Sequence, residues 1–184
     1  MATDTRDRMI DGAAVLLAKR GLQATSFSEV IEATGAPRGS LYHHFPDGKD
    51  QLVAAAIDRA GARANDLLEA HAGEPAEQIA AVFLGMWREL LTRSRFEAGC
   101  AVLAVTVATD SPDLLDHAAT VFRTWRARLA SLLEQGGLDA AAASAGAVTL
   151  IAGAEGAVVL ARAEQSLEPF DAVAEQLLGV VRRA

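Results

Sequence analysis

Several shortages narrow the possibilities before any motif is considered. One cysteine in 184 residues, Cys100, cannot form an intramolecular disulfide. The four histidines, His43, His44, His71 and His117, lack Cys, Asp or Glu partners at the spacings of structural zinc sites, so neither a metal nor a cofactor is expected. No nucleophile and base pair, no paired carboxylates and no phosphate-cradling loop are present, which removes the usual footings of an enzyme. Alternating strand patterns and internal repeats are missing too, and aromatic residues make up only 5%. Residues 1–8 hold four charges and no apolar core, unlike a secretory or transit segment, so a cytoplasmic protein is expected.

Basic charge is also scarce. The net charge of −7 argues at first against a nucleic-acid partner, because phosphate neutralisation needs Lys and Arg. The excess acid is not uniform, however. Residues 1–50 hold six Lys/Arg and seven Asp/Glu, whereas 51–184 hold eleven and seventeen. The near-neutral first part can therefore present a local basic face.

What is abundant is helix-forming apolar sequence. Hydrophobic residues reach 51%, with Ala prominent. From Asp4 to Arg20, Met9, Ile10, Ala13, Leu16 and Leu17 recur at steps of three and four, and Gly21 follows as a stop. Ser26, or Thr25 before it, can cap a short second helix carrying Phe27, Val30 and Ile31, with Glu29 placed as in a capping box and an end near Thr34-Gly35. Pro37 suits the start of a third helix running to Phe45, before Pro46-Asp47-Gly48 breaks it. Two short helices around a Gly-containing turn make a helix-turn-helix. A longer helix over 49–72 carries Leu52, Ala56, Ile57, Ala60, Leu67 and Leu68 on its apolar side, and further helices are expected at roughly 76–93, 98–109, 112–135, 139–165 and 169–183. The stretch 139–161 is apolar enough to raise a membrane span, but its Ala and Gly are weakly hydrophobic and Glu155 sits inside it, so no membrane is expected.

Residues 25–45, from Thr25-Ser26-Phe27-Ser28-Glu29-Val30-Ile31-Glu32-Ala33-Thr34-Gly35 through Ser40-Leu41-Tyr42-His43-His44-Phe45, followed by Lys49, closely resemble the TetR family of bacterial repressors. Gly99-Cys100-Ala101, Glu155-Gly156-Ala157, Ala161-Arg162-Ala163 and Ser166-Leu167-Glu168-Pro169-Phe170 look like that family's LmrA/YxaF branch. Two departures stand out: Thr34 where the family usually has Ala, and Pro37 where it often has Ser or Thr. The resemblance implies an all-α protein of about nine helices, divided into a three-helix DNA-binding domain over 1–48 and a helical effector-binding and dimerisation domain over 49–184. Its expected partners are double-stranded DNA at a palindromic operator, a second copy of the chain as a homodimer, and a small, largely apolar or aromatic effector. Drug-like or flavonoid-like compounds are what the branch implies.

Residue chemistry agrees with that reading. A helix entering the major groove needs small residues where its backbone nears the DNA, and Gly39 and Ser40 supply them. Arg38 can form a bidentate contact to guanine, while Tyr42 and His43 can reach phosphates or base edges. Lys49, and the free N–H groups after Thr25 and Ser26, suit the phosphate backbone. Leu41 and Phe45 are expected to pack inward, and His44 reads as a packing residue.

Farther along, Phe83, Met86, Trp87, Leu90, Cys100, Leu103, Val107, Phe122 and Trp125 are the candidate effector-site residues. Such stripes also form ordinary core, and a lone apolar Cys is more often inert than redox-active. Ala142, Ala145, Gly146, Thr149, Ala152, Gly153, Gly156 and Ala157 place a strip of small residues on one helix side, which fits close approach of a second backbone across a dimer or packing within the domain.

Overall fold

The computed structural model describes residues 5–183, which form nine helices and no strand. In chain order they are α1 (Thr5–Arg20), α2 (Phe27–Thr34), α3 (Arg38–His44), α4 (Lys49–Glu69), α5 (Ala76–Ser94), α6 (Ala101–Thr106), α7 (Pro112–Gln135), α8 (Ala140–Glu164) and α9 (Glu168–Arg183). The expected all-α class and helix number are found. Asp4, expected to open the first helix, lies outside the described residues.

Packing groups the chain into two compact units, residues 1–63 with 100–122, and residues 64–99 with 123–184. The division expected from the sequence, 1–48 and 49–184, follows the motif; packing instead assigns α6 and the first parts of α4 and α7 to the N-terminal unit.

In that first unit α1 touches α2, α3 and α6, with Met9, Ala13 and Leu17 fully buried. Ser26 caps α2 by accepting from the Glu29 N–H at 3.2 Å, and Gly35 closes it at φ 65°, the left-handed conformation glycine takes without strain. The capping box is only half formed, because the Glu29 carboxylate turns to Arg20 at 2.7 Å. Asp7 and Asp11 on α1 hold Arg59 of α4, and Asp11 also reaches Arg63 at 2.9 Å. Hydrogen bonding from Arg59 to Asp7 raises the guanidinium pKa further above its ordinary value. His117 of α7 meets Asp58 of α4 at 2.8 Å.

In the second unit α5, α8 and α9 pack on one another around Leu91, Ala157, Val158, Ala161 and Phe170. Asp139 caps α8 by accepting from the Ala142 N–H at 2.8 Å. Before α5, a Cβ added at Gly136 would stand 2.5 Å from the Ala76 nitrogen, so only glycine admits the hydrogen bond from the Ala76 N–H to the Gly136 carbonyl. The motif pieces resembling the LmrA/YxaF branch meet in space: Arg162 donates to the Phe96 and Glu97 carbonyls and lies where a Cβ on Gly99 would collide with it. α8 is long and apolar enough to cross a membrane by composition, with a mean hydropathy of 1.6, yet half of that window, Glu155 included, is buried inside the unit.

Three expectations need correction. Leu67 is exposed rather than apolar-side, and Val53 is buried on α4 instead. The sixth helix is shorter than 98–109, because Arg95 and Phe96 adopt positive φ and residues 97–100 stay non-helical up to Cys100, whose sulfur accepts from the Leu103 N–H. The small-residue strip on α8 is not one surface: Gly146, Gly153 and Ala157 face neighbours within the chain, with a Cβ at Gly153 falling 2.9 Å from Leu177 of α9, while Ala145, Thr149, Ala152 and Gly156 are exposed.

Thr34 explains itself by its contact. A Cβ on Gly12 would stand 2.4 Å from the Thr34 methyl, which cannot rotate away without breaking the hydroxyl's 2.7 Å bond to the Val30 carbonyl. Gly to Ala in a helix interior normally stabilises by roughly 0.5–1 kcal/mol. Here Gly12→Ala is expected to destabilise by about 1–3 kcal/mol through overpacking, and adding Thr34→Ala should recover most of the loss in urea unfolding.

Candidate nucleic-acid face and small-molecule cavity

Seven residues make a helix too short to persist alone in water, so α3 depends on what it buries. Leu41 and, at its C-cap, Phe45 are both 0% exposed. Arg6 of α1 lies over the Phe45 ring at 5.5 Å, and the Phe45 N–H closes onto the Leu41 carbonyl. With these two side chains inward, Arg38, Gly39, Tyr42 and His43 are exposed and Ser40 is half-buried. Tyr42 is 70% exposed and rests edge-on against Phe27 of α2, 5.7 Å between ring centres, so the ring is steadied while its hydroxyl end stays accessible. His43 meets His44 edge-on. Pro37 gives α3 no side-chain cap, as its chemistry requires.

Two candidates have other partners. The Thr25 side chain is 1% exposed and its hydroxyl donates to the Gly21 carbonyl at 2.8 Å, so it secures the turn between α1 and α2. Lys49 sends its ammonium to the Leu22 carbonyl at 2.8 Å and is half-buried. Both tie the two-helix element to its neighbours, a role that spacing alone does not reveal. Ser26 spends its oxygen on the Glu29 N–H.

The second unit contains a small cavity of about 20 Å³ lined by Ala64, Asn65, Leu68, Phe83, Met86, Trp87, Trp125, Leu129 and Ile151. Phe83, Trp87 and Trp125 form a chain of edge-to-face rings, 6.4 and 6.5 Å between successive centres. No charged side chain lines it, and the nearby charges of Arg128 and Glu69 are paired with each other. Two buried polar atoms on lining residues, the Trp87 indole nitrogen and the Asn65 carbonyl oxygen, have no hydrogen-bond partner among the described residues.

Of the residues expected here, Phe83, Met86, Trp87 and Trp125 line the cavity. Leu90 is not in its wall, and Cys100, Leu103, Val107 and Phe122 group with the other unit. Val107 is 73% exposed and Cys100 caps α6, which begins only after the non-helical residues 97–100. Asn65, Ala64, Leu68, Leu129 and Ile151 were missed. A polar Asn65 in the apolar register of Ile57, Ala64 and Leu68 is the signal that could have found them.

Two sequence profiles match this chain. The profile of bacterial regulatory proteins of the tetR family covers residues 9–56, and that of the LmrA/YxaF-like transcriptional regulator C-terminal domain covers 75–176, more than half of the chain. The chain belongs to the TetR family of transcriptional regulators. It is 36% identical to the HTH-type transcriptional regulator Rv0196 of Mycobacterium tuberculosis, over 94% of this chain and 91% of that one. It is 27% identical to the regulator YxaF of Bacillus subtilis, over 98% and 96%. A TetR transcriptional regulator from Legionella pneumophila has the same fold, with a TM-score of 0.83 at 22% identity over 96% of this chain and 97% of that one. As a TetR-family regulator the chain is not an enzyme, and its N-terminal helix-turn-helix is a DNA-binding element.

The Lys49 bond makes a stability prediction separable from DNA binding. Lys49→Met is expected to lower unfolding free energy by about 1–2 kcal/mol, the range of a partly buried charge-assisted hydrogen bond. Urea denaturation without DNA reads it; an unchanged midpoint would leave Lys49 without this structural role.

Proposed function

We propose that this regulator is a cytoplasmic homodimeric repressor that binds a palindromic operator and is released by a small, largely apolar or aromatic effector. The observation that carries the DNA reading is the two-sidedness of α3: Leu41 and Phe45 are wholly buried while Arg38, Tyr42 and His43 project from the helix. Gly39 has no atom within 4 Å of an added Cβ, so the helix backbone is open to close approach there. Arg38 reads a base, Tyr42 and His43 meet phosphates or base edges, and the first-turn N–H groups of α2 beyond Ser26 face the phosphate backbone. On the protein's own upstream DNA, Tyr42→Ala with His43→Ala should abolish a gel shift, and Arg38→Ala should cost about 1–3 kcal/mol and relax base preference. Undiminished binding by the folded double variant would remove the assignment.

One short helix reads few bases, and a two-fold pair reads a palindrome. The surface that supports dimerisation is on α8, where Ala145, Val148, Thr149, Ala152, Gly156, Val159, Leu160 and Ala163 are exposed at steps of three and four without a charge among them. Gly153 is a poor probe of this face, since it packs on Leu177 of its own chain. Val159, 52% exposed, is a better one. Val159→Asp is expected to leave the helical content unchanged and convert the sedimenting species to a monomer with weakened operator affinity; a persisting dimer would move the interface elsewhere.

The cavity supports the effector reading. At about 20 Å³ it has room for a water molecule, far short of the several hundred Å³ that enclose a drug-sized ligand. A ligand therefore binds a conformation in which Met86 and the rings have moved apart, and a difference in affinity between two conformations is what release requires. α4 begins at Lys49, beside the DNA-reading helix in sequence, and supplies Ala64, Asn65 and Leu68 to the cavity wall, so displacement at one end is carried by a continuous helix. Tenfold release needs only about 1.4 kcal/mol of differential binding, and DNA must weaken effector binding by the same factor.

A further inference from the structure

We infer that Trp87 and Asn65 set the effector's chemistry: the ligand is uncharged and presents, on an otherwise apolar body, an acceptor to the Trp87 indole N–H and a donor to the Asn65 carbonyl oxygen, as a hydroxyl does. The inference rests on the effector reading of the cavity given above and names the ligand class and selecting residues of that same site.

Two observations carry it. An indole nitrogen can only donate, and an amide oxygen can only accept. Both atoms are buried, both belong to cavity-lining residues, and neither has a partner among the described residues. Buried polar groups in folded proteins are normally paired, so two orphans of opposite sense on one water-sized cavity mark a place where a bridging water, or the ligand group that displaces it, must both accept and donate. The rest of the wall is Ala, Leu, Ile, Met, Phe and Trp, which offers no partner for a third polar group. A carboxylate would place its charge against the Asn65 oxygen in this apolar wall without a cation in it, and an ammonium would find one acceptor and a misdirected donor. A hydrocarbon would bury both orphans deeper and leave them unpaired.

Discrimination of this kind is stronger than discrimination by shape, because a site built to hydrogen-bond a group penalises the analogue lacking it. Asn65 and Trp87 sit on different helices, α4 and α5, so a ligand that engages both bridges those two helices.

The test uses the full chain and four matched probes: naphthalene, 2-methoxynaphthalene, 2-naphthol and 2-naphthoate, with affinities from calorimetry. In the wild type, affinity is expected to rise about tenfold from naphthalene to 2-methoxynaphthalene, which adds an acceptor, and about tenfold again to 2-naphthol, which adds a donor, with 2-naphthoate the weakest. Trp87→Phe should erase the first step alone and Asn65→Leu the second step alone, each step being taken relative to the same variant's own naphthalene affinity, with an unchanged helical circular-dichroism spectrum certifying a folded chain. The chain has only two tryptophans, so its two indole N–H resonances give a second readout that needs no variant: the Trp87 signal should move downfield with 2-methoxynaphthalene and 2-naphthol but not with naphthalene. Equal binding of naphthalene and 2-naphthol, or steps that survive both substitutions, would overturn this inference while leaving an apolar effector site intact. Binding of none of the four would overturn the effector reading itself, and this inference with it.

Discussion

A seven-residue helix has no stability of its own, and the second helix of the helix-turn-helix depends on the two side chains that hold α3 in place. Leu41 and Phe45 are buried completely, and their burial decides which way Arg38, Tyr42 and His43 point. Burying a large apolar side chain contributes on the order of 1.5–3 kcal/mol. That is ample to orient two turns of helix, although it would not fold them in isolation. The surroundings reinforce the choice: Phe27 steadies Tyr42, Arg6 covers Phe45, and Lys49 and Thr25 tie the connections before and after the motif to backbone carbonyls. Thr25 and Lys49, which read as phosphate ligands in the sequence, make these structural bonds, and the exposed face of α3 is left to a few side chains.

The same unit adds partly exposed ion pairs to the buried apolar face of α4, Leu52, Val53, Ala56 and Ile57. Asp7 and Asp11 on α1 meet Arg59 and Arg63 on α4, and Asp58 on α4 meets His117 on α7. Each such pair contributes little, roughly 0–1 kcal/mol, but their geometry is directional. They fix the rotation of α4 about its axis relative to α1 within this unit more than they stabilise it.

In the second unit glycine and alanine let helices approach closely, and the aromatic rings prevent a perfect fit. Gly153 admits Leu177, Gly136 admits the backbone at Ala76, and Gly99 makes room for Arg162. Around Trp87 and Trp125 the edge-to-face arrangement leaves a small void whose wall is apolar except for two polar atoms. A tightly packed helical unit with such a void can be altered by filling it, because neighbouring close contacts cannot absorb the change locally.

Much of the fold was legible in the residues. Apolar spacing, Gly21, Ser26, Gly35 and Pro37 mark helix ends by local chemistry, so nine helices could be read within a few residues of their bounds. Inward Leu41 and Phe45 were legible for the same reason, since a helix of known register has a determined face. What sequence alone could not decide is which faces meet. The partners of Thr25, Lys49 and Gly153 lie 4, 27 and 24 positions away, and membership of the cavity passed from Leu90, Cys100, Leu103, Val107 and Phe122 to Asn65, Leu68, Leu129 and Ile151. Helix periodicity is a property of the chain's own backbone and is written locally, whereas a cavity is what remains after several helices have packed, and only the tertiary structure holds that information.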